Sequence, residues 1–132
     1  MHVLESVLYA EDLEAARSFY VGLLGLPEIM FDPDRDLFLR CDGSVLIIFK
    51  ASKTIVADAG VPGHGAVGPG HLAFSASCEE IEDWRAKLLA VNVPVIQEID
   101  WKNGAKSIYF HDPAGNVLEF ATPNLWGFAK AE

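Results

Sequence analysis

The sequence predicts an α+β protein built from two βαβββ modules. Three observations lead to this fold class: a strand followed by a helix occurs twice, three short strands follow each helix, and a Gly- and Pro-rich segment separates the halves. The length of 132 residues suits one compact domain. We predict module one at about residues 3–51, a linker at 52–69, module two at about 70–122 and a C-terminal tail at 123–132.

The first module opens with a strand and a helix. Apolar and polar residues alternate from Leu4 to Ala10, which is typical of a strand with one buried face. Asp12 is suited to cap the next helix, and Gly25 and Pro27 to end it. The apolar residues predicted on one face of this helix are Leu13, Ala16, Phe19, Tyr20, Leu23 and Leu24. The segments EIMF, DLFLRC and SVLIIFK then predict three strands.

The second module repeats this plan from His71. Ser77 and Glu80 form a capping-box pattern before the helix, and Asn92 and Pro94 end it. The apolar residues at helical spacing are Ile81, Trp84, Leu88 and Val91. Three strands follow in VIQEI, AKSIYFH and NVLEFAT, so each half has the same order of elements.

Composition excludes several classes of function. The formal net charge is −9 with ten Lys and Arg, which argues against binding to nucleic acid. No apolar run approaches the ~20 residues needed to span a bilayer, and the chain starts without the basic segment of a signal peptide. Cys41 and Cys78 match no disulfide or CxxC pattern, which suits a reducing compartment. We therefore predict a cytoplasmic protein that binds a small molecule or a protein partner, with no role at a membrane.

Three chemistry-bearing residues share one face of the predicted strands. Glu119 lies between Leu118 and Phe120, and an ionised carboxylate is costly to bury without a cationic partner. Alternation places Glu119, His71 and Glu5 on the strand faces that point away from the helices. Each has a simpler explanation, since an open sheet face is often wet and strand histidines are common in cores. Their matching places in the repeat favour a shared metal ion.

The repeat resembles the vicinal oxygen chelate superfamily, which includes glyoxalase I, extradiol dioxygenases, fosfomycin resistance proteins and bleomycin-binding proteins. The segments that carry the resemblance are DLEAARSFYVGLLGL in the first half and YFHDPAGNVLEF in the second, and it extends from about Leu4 to Thr122. It implies that the two modules form a cup-shaped mixed sheet with the helices on its outer face. It does not fix the reaction, because this scaffold hosts lyases, epimerases, dioxygenases and metal-free binders.

The resemblance also implies a ligand set for one divalent metal ion. The matching positions are Glu5 and His71 on the first strand of each module and Glu119 on the last strand of the second. The fourth position is Ile47, which cannot bind metal and is assigned to substrate binding. One imidazole and two carboxylates favour Mn, Fe(II), Ni, Co or Zn. Fosfomycin resistance proteins and extradiol dioxygenases have histidine where this chain has Glu5. Fosfomycin resistance proteins also have a basic residue after the metal-binding Glu that binds phosphonate, whereas no basic residue follows Glu119 here before Lys130.

Further residues are candidates for catalysis and substrate binding. The same resemblance makes Tyr109, ten residues before Glu119, a candidate proton donor. His64 lies in a Gly-rich loop and could act as a general base or as part of a lid. Phe49 and Trp101 are assigned to substrate binding, and Lys102 is expected beside Trp101 at the mouth of the cup.

The resulting prediction is a metal-dependent enzyme acting on a small substrate whose adjacent oxygens chelate the metal. Glyoxalase-like isomerisation or lyase chemistry ranks first, catechol ring cleavage second and addition to an epoxide third. One alternative is a metal-free protein that binds a drug or metabolite. The other is a protein whose main role is to assemble with a partner through its apolar tail. A homodimer is expected, in which Glu5 is supplied by the same chain as His71 and Glu119 or by the other chain.

Overall fold

A computed structural model describes residues 1–58 and 60–128. The chain forms two compact units, each built around a four-stranded mixed sheet. The first comprises Met1–Gly70 together with Asp112–Gly115, and the second comprises His71–His111 together with the chain from Asn116 onward. The predicted α+β class with two βαβββ modules is confirmed. Because a short turn of the second module joins the first unit, the units do not follow the module boundaries completely.

The sheet of the first unit contains β1 (Glu5–Tyr9), β2 (Glu28–Asp32), β3 (Asp36–Cys41) and β4 (Ser44–Phe49). Its spatial order is β1-β4-β3-β2, with β1 parallel to β4 and the other pairs antiparallel. One face carries the apolar core against the helix. The buried residues of that face are Leu8, Leu37, Leu39, Leu46 and Ile48.

The first helix departs from the uniform α-helix that the spacing predicts. Helix α1 covers Leu13–Arg17, and Asp12 caps it by accepting a hydrogen bond from the amide of Ala15 at 3.0 Å. The chain continues as a π-helix over Ser18–Leu23, which closes with the amide of Leu24 donating to the carbonyl of Phe19. The wider turn keeps Phe19 and Tyr20 in adjacent buried positions, which a strict 3.6-residue period does not require.

The Gly- and Pro-rich segment after β4 is not wholly irregular. It begins with a short helix, α2 (Ala51–Thr54), followed by an isolated bridge between Asp58 and Val61. The loop packs tightly on itself, since the amide of His64 donates to the carbonyl of Thr54 at 2.8 Å. These local contacts involve backbone groups, which side-chain periodicity does not reveal.

The sheet of the second unit contains β5 (His71–Ser75), β6 (Gln97–Asp100), β7 (Lys106–His111) and β8 (Val117–Ala121), in the order β5-β8-β7-β6. Helix α3 covers Cys78–Ala90 and begins with the predicted capping box between Ser77 and Glu80. On the helix side of the sheet, Phe120 stacks on Trp84 with ring centroids 4.8 Å apart. Leu118 and Phe120 therefore face the helix, and the neighbouring Glu119 points to the opposite face.

The predicted tail begins with a 3₁₀ turn, Pro123–Trp126, which ends at Gly127 with a φ of 77°. Trp126 and Phe128 are exposed. Residues 129–132, which include Lys130, lie outside the described residues. No helix in the described part of the chain is long and apolar enough to cross a membrane.

Candidate metal and substrate site

The candidate site is built on the face of the second sheet that points away from α3. His71 is the first residue of β5, and Glu119 is the central residue of β8. The two strands pair in parallel, and their register sets Val117 beside His71 and Glu119 beside Ala73. As a result, Nε2 of His71 lies 3.3 Å from Oε2 of Glu119.

The backbone fixes the orientation of the imidazole. Nδ1 of His71 lies 2.8 Å from the carbonyl oxygen of Val117. A carbonyl oxygen only accepts hydrogen bonds, so Nδ1 carries the proton. In the neutral ring, Nε2 then presents a lone pair toward a carboxylate oxygen, which brings two acceptors together. A proton or a metal cation at Nε2 relieves this arrangement.

Glu119 is deeply buried, with 5% of its surface exposed. Its Oε1 atom is buried and has no hydrogen-bond partner among the described residues. Buried carboxylate oxygens without a partner are rare because desolvation is costly, and an oxygen of this kind is suited to bind a cation. The expectation of a wet carboxylate on an open sheet face does not describe Glu119.

Tyr109 lies directly across from Glu119 in the pairing of β7 with β8. Its ring also stacks on His71, with centroids 6.2 Å apart and planes inclined by 25°. Burial raises the pKa of the Tyr109 phenol, the Glu119 carboxylate raises it further, and Ser107 lowers it. The phenol therefore keeps its proton at neutral pH in this environment.

A cavity of about 610 Å³ opens above these residues. Such a volume is typical of small-molecule sites, for which ~300–1,000 Å³ is common. His71, Tyr109 and Glu119 supply its polar floor. The other residues that line it are Trp101, Lys102, Asn103, Leu125 and Trp126.

Two hydrogen bonds hold the walls of the cavity. The indole Nε1 of Trp101 donates to the buried Oγ of Ser107 at 3.0 Å. The side-chain amide of Asn103 donates to the carbonyl of Asn124 at 2.8 Å, and this bond ties the 3₁₀ turn to the turn between β6 and β7. Sequence reasoning placed Trp101 and Lys102 here but not Asn103, Leu125 or Trp126. The apolar residues of the tail are the available signal, although they equally predict a surface that docks on a partner.

The other predicted site residues belong to the first unit. Glu5 is exposed at the start of β1. Ile47 is buried on β4, and Phe49 ends the same strand. Nδ1 of His64 lies 2.7 Å from the Tyr9 hydroxyl. The His64 ring also packs on the Phe49 ring, with centroids 5.0 Å apart.

The second unit offers a fitting pair of metal donors. An imidazole nitrogen oriented by a backbone carbonyl and a buried carboxylate oxygen without a partner match the chemistry of borderline divalent ions. Among residues 1–58 and 60–128, no group of three or more His, Cys, Asp or Glu side chains is gathered as a complete metal site. The assignment of Glu5 as third ligand therefore stays a prediction.

Comparisons with known proteins agree with the fold. The model of the Glyoxalase/Bleomycin resistance protein/Dioxygenase superfamily matches residues 2–120, so the chain belongs to this superfamily. A lactoylglutathione lyase from Agrobacterium tumefaciens is similar over 97% of this chain and 98% of its own, with 38% identity and a TM-score of 0.93.

More distant structures share the fold. A glyoxalase/bleomycin resistance protein/dioxygenase from Nocardioides is 25% identical over 92% of this chain and 82% of its own, with a TM-score of 0.72. A virulence protein from Salmonella typhimurium is 22% identical over 92% of this chain and 95% of its own, with a TM-score of 0.71, and shows the fold alone. No curated protein matches the chain.

Proposed function

We propose that the protein is a metal-dependent enzyme that moves a proton on a small substrate with adjacent oxygen atoms, in the manner of glyoxalase-type isomerases and lyases. The observation that carries the proposal is the 3.3 Å approach of His71 Nε2 to Oε2 of the buried Glu119, whose Oε1 has no hydrogen-bond partner among the described residues. The similarity to a lactoylglutathione lyase supports this reaction class over ring cleavage.

His71 and Glu119 would hold the metal, and Glu5 is proposed as the third protein ligand. Glu5 would come from the same chain or from a second copy in a homodimer, as the sequence predicts. A divalent ion bound here supplies Lewis-acid polarisation of the substrate oxygens. Three protein ligands would leave open positions for those oxygens.

The residues of the chain itself supply the rest of the chemistry. The Tyr109 phenol lies across from Glu119 and lines the cavity, so it can donate a hydrogen bond or a proton to a substrate oxygen. The Val117 carbonyl keeps the His71 ring in one tautomer. Trp101 and Leu125 supply apolar walls to the cavity. His64 is a second candidate for moving a proton.

Metal content decides the proposal. Protein purified without chelators is expected to contain close to one Mn, Fe(II), Ni, Co or Zn per chain by elemental analysis, and to lose it in His71→Ala and in Glu119→Gln. The matched control is Glu98→Gln, since Glu98 is an exposed strand carboxylate of the same unit that pairs with Arg85. Metal-free protein that gains no thermal stability from any of these ions would refute the enzyme assignment.

The second candidate function is a metal-free binding protein for a small molecule. The apolar walls of the cavity favour it, because Trp101, Leu125 and Trp126 provide contact area that needs no metal. It predicts ligand binding that is unchanged in Glu119→Gln. The enzyme assignment predicts weaker binding of any ligand that chelates the metal.

A further inference from the structure

The rim of the cavity carries two exposed or partly exposed indoles. Trp126 is 77% exposed although it lines the cavity, and Trp101, which lines the same cavity, is partly exposed. When an apolar ligand covers a large aromatic side chain that is exposed to water at the mouth of a cavity, the free energy of the complex is lowered. The indoles are therefore available for contact with a ligand.

Hydrogen bonds hold the indole of Trp101 and the backbone turn that carries Trp126 before a ligand arrives. The ring nitrogen of Trp101 donates a hydrogen bond to Ser107, so a ligand would contact carbon atoms of this ring. Trp126 ends a 3₁₀ turn. The Asn103 side chain donates a hydrogen bond to the Asn124 carbonyl of this turn, and the amides of Gly127 and Phe128 donate to the carbonyls of Asn124 and Pro123. A Trp side chain has few rotatable bonds and therefore loses little conformational entropy on binding, which favours planar aromatic ligands.

The charge of the cavity limits its ligand further. Among the described residues that line it, Lys102 is the one lysine or arginine, and Asn103 beside it is neutral, while His71 and the Glu119 carboxylate form the floor. The whole chain carries a formal charge of −9, which opposes the approach of highly charged anions. One ammonium group at the rim suits one carboxylate and does not suit a ligand with several anionic groups.

We propose that the substrate is an aromatic monoanion, in which a planar ring is bound by Trp101 and Trp126, a single carboxylate is attracted by Lys102, and adjacent oxygens face His71 and Glu119. This proposal rests on the proposed function for the role of those oxygens. It makes the 3₁₀ turn at the start of the tail a specificity element. The tail then contributes to the site itself.

Isothermal titration calorimetry with two probes tests the proposal on the full chain in the presence of a chelator. Phenylpyruvate carries the ring, the single charge and adjacent oxygens, and pyruvate lacks only the benzyl group. We expect phenylpyruvate to bind at least about tenfold more tightly than pyruvate, the effect of one well-placed aromatic contact. Equal affinities of the wild-type protein for the two acids would overturn the proposal.

Variants assign the effect to residues. Trp126→Ala is expected to remove most of the preference for phenylpyruvate. Lys102→Gln is expected to lower the binding affinity for both acids by a similar factor of about three to ten. Trp84→Phe is the matched control, because Trp84 stacks on Phe120 at the helix side of the sheet. A preference that persists unchanged in Trp126→Ala would overturn the proposal. Thermal unfolding of each variant verifies that the change lies in binding.

The two proposals fail separately. Metal binding with equal affinity for phenylpyruvate and pyruvate would leave the enzyme assignment standing and reject the aromatic substrate. A strong preference for phenylpyruvate in protein that binds no metal would keep the aromatic ligand and reject the enzyme. Oligomeric state is measured in parallel by light scattering, and failure of both acids to bind to the protein in that state would reject the proposal.

Discussion

The hydroxyl of Tyr20 donates a hydrogen bond to Oδ2 of Asp112 at 2.6 Å, across 92 residues of sequence and within the first unit. Both residues are buried. Burial raises the pKa of Tyr20 far above its usual value, and the charge and hydrogen bonding of Asp112 raise it further, so the phenol is a permanent donor. The turn of the second module is thus joined to the helix of the first.

We expect Tyr20→Phe to lower the free energy of unfolding by about 2 kcal/mol, because the carboxylate then loses a buried charge-assisted hydrogen bond. Urea unfolding measures the change. A double-mutant cycle with Asp112→Asn isolates the pair, since the two effects should not add. Strict additivity would show that the bond contributes nothing beyond the separate residues.

A second prediction concerns Asp36, whose Oδ1 atom is buried without a hydrogen-bond partner among the described residues. Burial raises the pKa of its carboxyl, the nearby Asp32 raises it further, and Arg35 lowers it. The folded protein therefore holds this proton at pH values where the unfolded chain has released it. Stability falls as the pH rises from the unfolded pKa, about 3.9, through the folded value.

Asp36→Asn removes this dependence. The variant should exceed the wild-type protein in stability at pH 7 by on the order of 1 kcal/mol, and the difference should shrink as the pH falls toward 4. Thermal unfolding from pH 4 to 7 measures it. Asp34→Asn, at an exposed position of the same turn, serves as the control. A wild-type protein that is more stable than Asp36→Asn at pH 7 would contradict the expected sign.

A third prediction compares two glycines. A Cβ atom on Gly63 would lie 2.5 Å from the carbonyl oxygen of Ile55 and 2.9 Å from the amide nitrogen of Ala57, and both are backbone atoms that cannot turn aside. A Cβ on Gly22 in the π-helix meets nothing within 4 Å. Gly63→Ala should therefore destabilise the protein by about 1–3 kcal/mol. Gly22→Ala should stabilise it by about 0.5–1 kcal/mol.

Chemical denaturation of the two variants gives the comparison directly. The Cβ clash also destabilises the loop that contains Gly63 and His64, so proteolysis of this loop should be faster in Gly63→Ala than in the wild-type protein. Equal stability of the two variants would mean that the loop can move away at no cost.

The fourth prediction separates the proposed ligands from the proposed proton donor. A metal at about one hundred times its Kd should stabilise the wild-type protein by about 2.7 kcal/mol. Tyr109→Phe should keep this gain, because Tyr109 is not proposed to bind the ion. Glu119→Gln should lose it. Thermal shift with added metal tests both, and loss of the gain in Tyr109→Phe would place the phenol among the ligands.

The sequence by itself determined the repeated βαβββ order, the helix caps at Asp12 and Ser77, and the strand faces. These features depend on local spacing and on residue type, which are present in any short window. The alternation of Leu118, Glu119 and Phe120 was enough to point the carboxylate away from the helix. It also placed His71 and Glu119 on the same sheet face.

Only the tertiary structure decided how those residues are partnered. The 5% exposure of Glu119, the carbonyl of Val117 that orients His71, and the return of Trp126 to the cavity all depend on chain segments far apart in sequence. The bond from Tyr20 to Asp112 has the same origin. Burial and the pairing of polar groups are properties of packing between segments, and no periodicity within one segment records them.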